Sequence, residues 1–248
     1  MRALRIAVVR HHIAPRAMSA TPAPSSSSPP PPPRRVLCLH SFRTSSAILH
    51  TQMKMARWFD DYARDVEFIA IDAPHAASGD VPADVTAFFG AEGGRYEWWN
   101  ARDDGAGGTS YDGVEASLRA VELACADADA KGESFDGIMG FSQGATLVGI
   151  VLGTPALAAR FSFAILVSGM ASRATETRNM VLSDVRVPTL HVIGKNDRVM
   201  PVTMSEQLFR KFEPSAATMV THAGGHSVPR LDETGAPILR DFLSSLST

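Results

Sequence analysis

At 248 residues, with 45% hydrophobic and 20% charged residues, the chain has the composition of a folded globular protein and the length of one α/β domain with a sizeable core. A formal net charge of −2, with no Lys/Arg cluster interleaved with aromatics in the body of the chain, excludes a surface built for nucleic acid. Gly, Ser or Arg interrupts every apolar run before it reaches the length of a bilayer-spanning helix.

Residues 1–34 differ from the rest. They carry Arg2, Arg5, Arg10, Arg16 and Arg34, a serine run over 25–28 and a proline run over 29–33, without a single Asp or Glu. This composition is that of a disordered tail or a targeting segment joined through a stiff polyproline spacer, so the folded domain is expected over 35–248. If the segment is a transit peptide, the destination is a plastid or mitochondrion. The two cysteines, Cys38 and Cys125, show neither CxxC nor metal-ligand spacing and read as buried thiols of a reducing compartment, cytoplasmic and also nuclear.

From Arg35 onward, short apolar runs alternate with longer amphipathic stretches, the pattern of a parallel sheet flanked by helices. Strands are expected at 36–40, 66–71, 137–141, 163–168, 188–193 and 217–221, and their near-continuous apolar character predicts cover on both faces. Helices are expected at 47–64, 114–130, 143–152, 203–212 and 236–246; Val114, Leu118, Val121 and Ala124 recur at helical spacing. One stretch, about 74–111, breaks the alternation with many glycines and with Phe88, Phe89, Tyr96, Trp98 and Trp99. It is expected to be an irregular, cap-like insertion in which Trp98 and Trp99 either line a substrate pocket or fasten the loop to the core.

The sharpest local signal is Gly140-Phe141-Ser142-Gln143-Gly144, a G-x-S-x-G sequence. A shuffled chain of this composition would contain one roughly one time in eight, so the setting decides. An apolar strand leads in and a helix leads out, which is the strand–turn–helix of a nucleophile elbow. Flanking glycines let the two elements approach, and the Gln143 amide at the helix start faces a developing oxyanion; Gln143 is expected to contribute its amide and not its side chain. A serine hydroxyl needs a base, and in the α/β-hydrolase fold the acid and then the histidine follow it in the chain. Asp197 lies in the turn after the strand at 188–193, whereas Asp184 precedes that strand and Asp232 follows the histidines. Gly224 and Gly225 give His226 a flexible loop beyond the last strand; His222 is the fallback, and His191, inside a strand, reads as a packed, hydrogen-bonded core residue. Ser142 is therefore the expected nucleophile, His226 the base and Asp197 its orienting acid, with activity rising from mildly acidic to neutral pH. A second oxyanion donor is expected after the first strand, from the Phe42 amide, with Ser41 second and His40 shaping the loop. Ser41, Trp98, Trp99 and Val199 are the expected pocket residues.

Four motifs in order, LHSFRTS from Leu39, IDAP from Ile71, GFSQG from Gly140 and GGHSVPRLDE from Gly224, resemble the FSH family of serine hydrolases over about Arg35 to the C-terminus. The resemblance implies an α/β-hydrolase fold, with a mainly parallel sheet of about six or more strands and helices on both faces. It also implies hydrolysis of a small-molecule carboxylic ester without cofactor or metal, and a Ser–Asp–His triad on Ser142, Asp197 and His226. One position departs: the family usually has glycine where this chain has Ser41. If that position needs a positive φ or close backbone approach, its Cβ displaces the oxyanion amide. Two other readings share the motifs: a ligand-binding protein that retains the fold, and a thioesterase or peptidase using the same triad. Oligomeric state is not legible in the sequence.

Overall fold

The computed structural model describes residues 32–90 and 93–246. The tail or targeting segment expected over 1–34 lies outside these residues except for its last three. The chain opens with β1 (Arg34–Leu39), α1 (Ser46–Met55), α2 (Trp58–Asp61) and β2 (Val66–Ile71). An insertion follows with β3 (His75–Ala76), α3 (Ala83–Phe89), β4 (Tyr96–Glu97), β5 (Asn100–Asp103) and β6 (Thr109–Asp112). The alternation then resumes as α4 (Val114–Ala130), β7 (Gly137–Phe141), α5 (Gln143–Leu152), α6 (Pro155–Ala158) and β8 (Phe163–Val167). It closes with β9 (Thr189–Gly194), α7 (Val202–Phe209), β10 (Ala217–His222) and α8 (Gly235–Ser245).

Six strands form one parallel sheet in the order β10-β9-β8-β7-β1-β2. Strand periodicity distributes its two faces. Leu37, Leu39, Ile138 and Leu166 pack with Val121 of α4 and Leu147 of α5. Val36, Cys38, Met139 and Ile165, each one residue out of phase, pack with Leu49 of α1 and Leu239 of α8. This is the expected doubly covered sheet, and the expected helices 114–130 and 143–152 have the observed bounds. Both cysteines are free and buried, and burial raises the Cys38 thiol far above its ordinary range. No helix among the described residues is long and apolar enough to cross a membrane.

Two expectations need correction. The helix expected over 47–64 breaks at Arg57, whose φ of 62° turns the chain between α1 and α2. The turn delivers Trp58 to the core, where its indole N–H donates to the Pro229 carbonyl at 2.8 Å. The stretch at 74–111 is also more regular than its glycines suggest: β3 pairs with β4 and β5 with β6, both antiparallel, with α3 between the strands of the first pair. A buried ion pair ties this insertion to the loop after β1: Arg43 Nε donates to Glu97 Oε2 at 2.9 Å and Ser78 Oγ to Glu97 Oε1 at 2.8 Å.

Candidate active site

The strand β7 is buried throughout and leads into Ser142, whose φ of 56° and ψ of −111° mark a strained turn before α5. The Ser142 amide is anchored to the Val167 carbonyl at 2.9 Å, and its own carbonyl accepts the Thr146 amide at 3.0 Å, which starts the helix. Glycine is required on both sides for want of space. A Cβ at Gly140 would lie 2.3 Å from the Gly144 carbonyl carbon, and one at Gly144 would lie 2.2 Å from the Leu39 carbonyl oxygen.

At the same carboxyl edge of the sheet, the turn after β9 carries Asp197 and the loop after β10 carries His226. His226 Nδ1 lies 2.8 Å from Asp197 Oδ2, and His226 Nε2 lies 2.9 Å from Ser142 Oγ. A carboxylate beside Nδ1 sets the tautomer: Nδ1–H donates to Asp197, which leaves Nε2 unprotonated as the acceptor of the hydrogen bond from the Ser142 hydroxyl. Asp197 Oδ1 meanwhile accepts the amides of Val199 at 2.9 Å and Met200 at 2.7 Å, which holds the carboxylate in place. The His226 ring rests on Phe141, with centroids 5.0 Å apart.

The other candidates fall elsewhere. Asp184 is exposed ahead of β9, and Asp232 Oδ1 accepts the Thr234 and Gly235 amides at 3.0 and 2.9 Å at the start of α8. His222 Nδ1 accepts the Gly224 amide at 3.1 Å, and burial lowers its pKa. His191 is a core residue, edge-on to Phe209 and Phe212, but the hydrogen bond expected for it is missing: Nε2 has no partner among the described residues. Burial accordingly lowers its pKa to about 3.

The loop after β1 is organised by His40. The Ala73 amide donates to His40 Nε2 at 3.0 Å, so Nδ1 carries the proton and donates to the Ser41 carbonyl at 2.7 Å. Burial lowers the His40 pKa to about 4 and keeps the ring neutral. The Thr44 hydroxyl donates to the same Ser41 carbonyl at 2.7 Å. Since the peptide unit is planar, fixing this carbonyl also fixes the direction of the Phe42 N–H. Among the described residues, no protein acceptor engages the Phe42 or Gln143 amide. Ser41 carries no φ penalty: the positive-φ residue of this loop is Arg43, at 52°.

The insertion departs most from its expected form. Trp98 and Trp99 are 0% and 3% exposed, and their rings belong to the core. Trp98 packs on His40 and Trp99 stacks on Tyr111 at 4.6 Å, so they fasten the insertion and do not line open space. The Gln143 side chain has a structural role that the sequence did not reveal: Oε1 accepts the Trp98 amide at 3.0 Å and Nε2 donates to the Trp99 carbonyl at 2.9 Å. A signal was available, because every later residue of α5 is buried and apolar or small, which makes Gln143 the odd member. Val199 is 63% exposed and contributes its amide to Asp197. The open space beside His226 is a cavity of about 570 Å³ walled by Met55 of α1, Val85, Phe88 and Phe89 of α3, and Val228 and Pro229.

Comparison with known proteins agrees with this architecture. The family model described as serine hydrolase (FSH1) matches residues 30–238. Esterase CG5412 of Drosophila melanogaster is 34% identical over 205 residues, covering 79% of this chain and 68% of that protein. Esterase OVCA2 of Homo sapiens is 32% identical over 214 residues, covering 79% and 89%. Among solved structures, esterase PE8 superposes with a TM-score of 0.56 at 21% identity, covering 86% of this chain and 93% of that one. Acyl-protein thioesterase 2 of Zea mays superposes with a TM-score of 0.57 at 16% identity, covering 86% and 94%. At these identities the two structures show the α/β-hydrolase fold alone.

Proposed function

The chain belongs to the serine hydrolase (FSH1) family, and from that premise we propose that it cleaves carboxylic esters through an acyl-enzyme on Ser142, with His226 as base and Asp197 as its orienting acid. The observation that carries this reading is the chain of contacts Ser142 Oγ to His226 Nε2 at 2.9 Å and His226 Nδ1 to Asp197 Oδ2 at 2.8 Å. Ser142 Oγ attacks the ester carbonyl as His226 Nε2 takes its proton, and Asp197 stabilises the resulting imidazolium. Negative charge collects on the former carbonyl oxygen, where the Gln143 amide, at the positive end of α5, and the Phe42 amide receive it. His226 then returns the proton to the departing alcohol, leaving the acyl group on Ser142. A water molecule repeats the sequence, with His226 again as base, and frees the acid.

The hydrocarbon part of the ester is assigned to the mainly apolar cavity beside His226, which has α3 of the insertion as one wall and which Gln52, Arg230 and Asp232 also line. Hydrolysis of p-nitrophenyl esters by wild type and Ser142→Ala tests the reading. Turnover by the wild type that Ser142→Ala lacks supports it; equal turnover by both overturns it.

A further inference from the structure

The two oxyanion amides proposed above come from different strands. Phe42 follows β1 and Gln143 follows β7, and the pairing of these strands ends with Leu39 opposite Gly140. Beyond that register no ladder hydrogen bond sets the gap between the loops; the close approach of Gly144 to the Leu39 and His40 carbonyls bounds it from one side only. A third segment spans it. The Gln143 side chain grips the Trp98 amide and the Trp99 carbonyl at 3.0 and 2.9 Å, using both of its polar atoms. From the same residue, the Trp98 indole N–H donates to the His40 carbonyl at 2.8 Å. The Ser117 hydroxyl of α4 donates to the Trp98 carbonyl, which fixes the bridge to the body of the domain. His40 in turn holds the Ser41 carbonyl, whose peptide plane carries the Phe42 N–H.

We infer that the insertion is part of the oxyanion apparatus: Trp98 is a strut between the Gln143 side chain and the His40 carbonyl that sets the spacing of the Gln143 and Phe42 amides. The inference rests on the esterase reading. Trp98 and the Gln143 side chain are positioning groups, since each of their polar atoms already has a protein partner: one another, Trp99, Ser117 or His40. The demand for such a strut is geometric. Oxyanion donors act over a range of a few tenths of an ångström, and only preorganised ones gain strength as charge develops. A loop that drifts loses transition-state binding while leaving ground-state binding nearly intact.

The test compares wild type, Trp98→Phe, Gln143→Met and the double variant in ester hydrolysis and in inhibition by a trifluoromethyl ketone, which forms a tetrahedral oxyanion on a serine. Trp98→Phe keeps a buried ring but loses the indole donor; Gln143→Met keeps length and loses both hydrogen bonds. Each single variant is expected to lower kcat by about 10- to 100-fold with KM within about twofold, and to weaken the ketone by a similar factor. The double variant should be little worse than the more impaired single, because both break one strut. Wild-type kcat and ketone affinity in the single variants, a rise in KM with kcat unchanged, or independent losses that multiply would each overturn the inference. If Trp98→Phe fails to fold, Gln143→Met, which leaves the buried indole in place, decides alone. Turnover by Ser142→Ala in the same assay would overturn the esterase reading itself and is scored separately.

Discussion

Asp197 presents its two carboxylate oxygens to different partners: Oδ2 takes the His226 Nδ1–H at 2.8 Å, and Oδ1 takes the Val199 and Met200 amides. The residue thus orients the imidazole from a position that cannot rotate. Asp197→Asn keeps the shape but offers an N–H where an acceptor is needed, favouring the tautomer with its proton on Nε2, facing Ser142. kcat for ester hydrolysis is expected to fall by about 10³- to 10⁴-fold with KM little changed. A loss below about tenfold would remove Asp197 from the proposed triad.

Gly144 and Gly149 lie in the same helix and should respond oppositely to alanine. A Cβ at Gly144 would lie 2.2 Å from the Leu39 carbonyl, a backbone atom of a central strand that cannot yield, whereas at Gly149 the nearest atom is the Leu208 Cδ1 at 3.5 Å. Gly144→Ala is expected to destabilise by at least about 1–3 kcal/mol. Gly149→Ala is expected to stabilise by about 0.5–1 kcal/mol, through helix propensity. Urea midpoints measure both, and equal shifts would contradict the close packing of β1 on α5.

The contrast between these glycines shows what a sequence reveals. The six central strands and the order Ser142, Asp197, His226 were legible because they rest on local patterns: apolar runs, a strand–turn–helix and loop residues after each strand. The insertion was not, because its strands are two to four residues long and are defined by pairing, with no period of their own. In sequence Trp98 and Trp99 fit a pocket and a core equally well, and the long-range indole bond to His40 that decides between them has no local signature. The break at Arg57 was hidden for a similar reason, since the destination of Trp58, under the Pro229 carbonyl, lies 171 residues away. At Ser41 no positive φ calls for the glycine of the family pattern; the left-handed conformation belongs to Arg43.

Stability should depend on pH through the buried histidines, His40 and His191 above all, with His222 lowered in the same direction. Burial lowers His40 to about 4 and His191 to about 3, against an unfolded value of 6.5. Below 6.5 the unfolded chain takes up protons that the folded chain refuses, so stability is fully present above that pH and declines as pH falls toward 4 and 3. The slope is up to roughly 1.4 kcal/mol per pH unit for each histidine. Urea midpoints at pH 7 and pH 5 should show the loss, and His191→Leu should lessen it by that ring's share, leaving the contribution of His40. An unchanged slope in His191→Leu would contradict the neutral, unpartnered state of that ring.

Arg43 and Glu97 form a buried pair that joins the loop after β1 to the insertion, with Glu97 only 3% exposed. Arg43→Met leaves that carboxylate with Ser78 as its remaining side-chain partner and is expected to cost about 3–5 kcal/mol. Replacing Glu97 as well, by Met, should recover much of the loss, because it is the stranded charge that costs and not the missing attraction. Chemical denaturation of the two variants checks this; a double variant no more stable than the single would contradict it.

The central claim is that Ser142 is an activated nucleophile, and intact-mass spectrometry after exposure to a fluorophosphonate tests it most directly. The wild type is predicted to gain one phosphonyl group, mapped by peptide analysis to Ser142, with labelling slowed in His226→Ala and absent in Ser142→Ala. An unlabelled wild type, or an adduct that persists in Ser142→Ala, would contradict the claim.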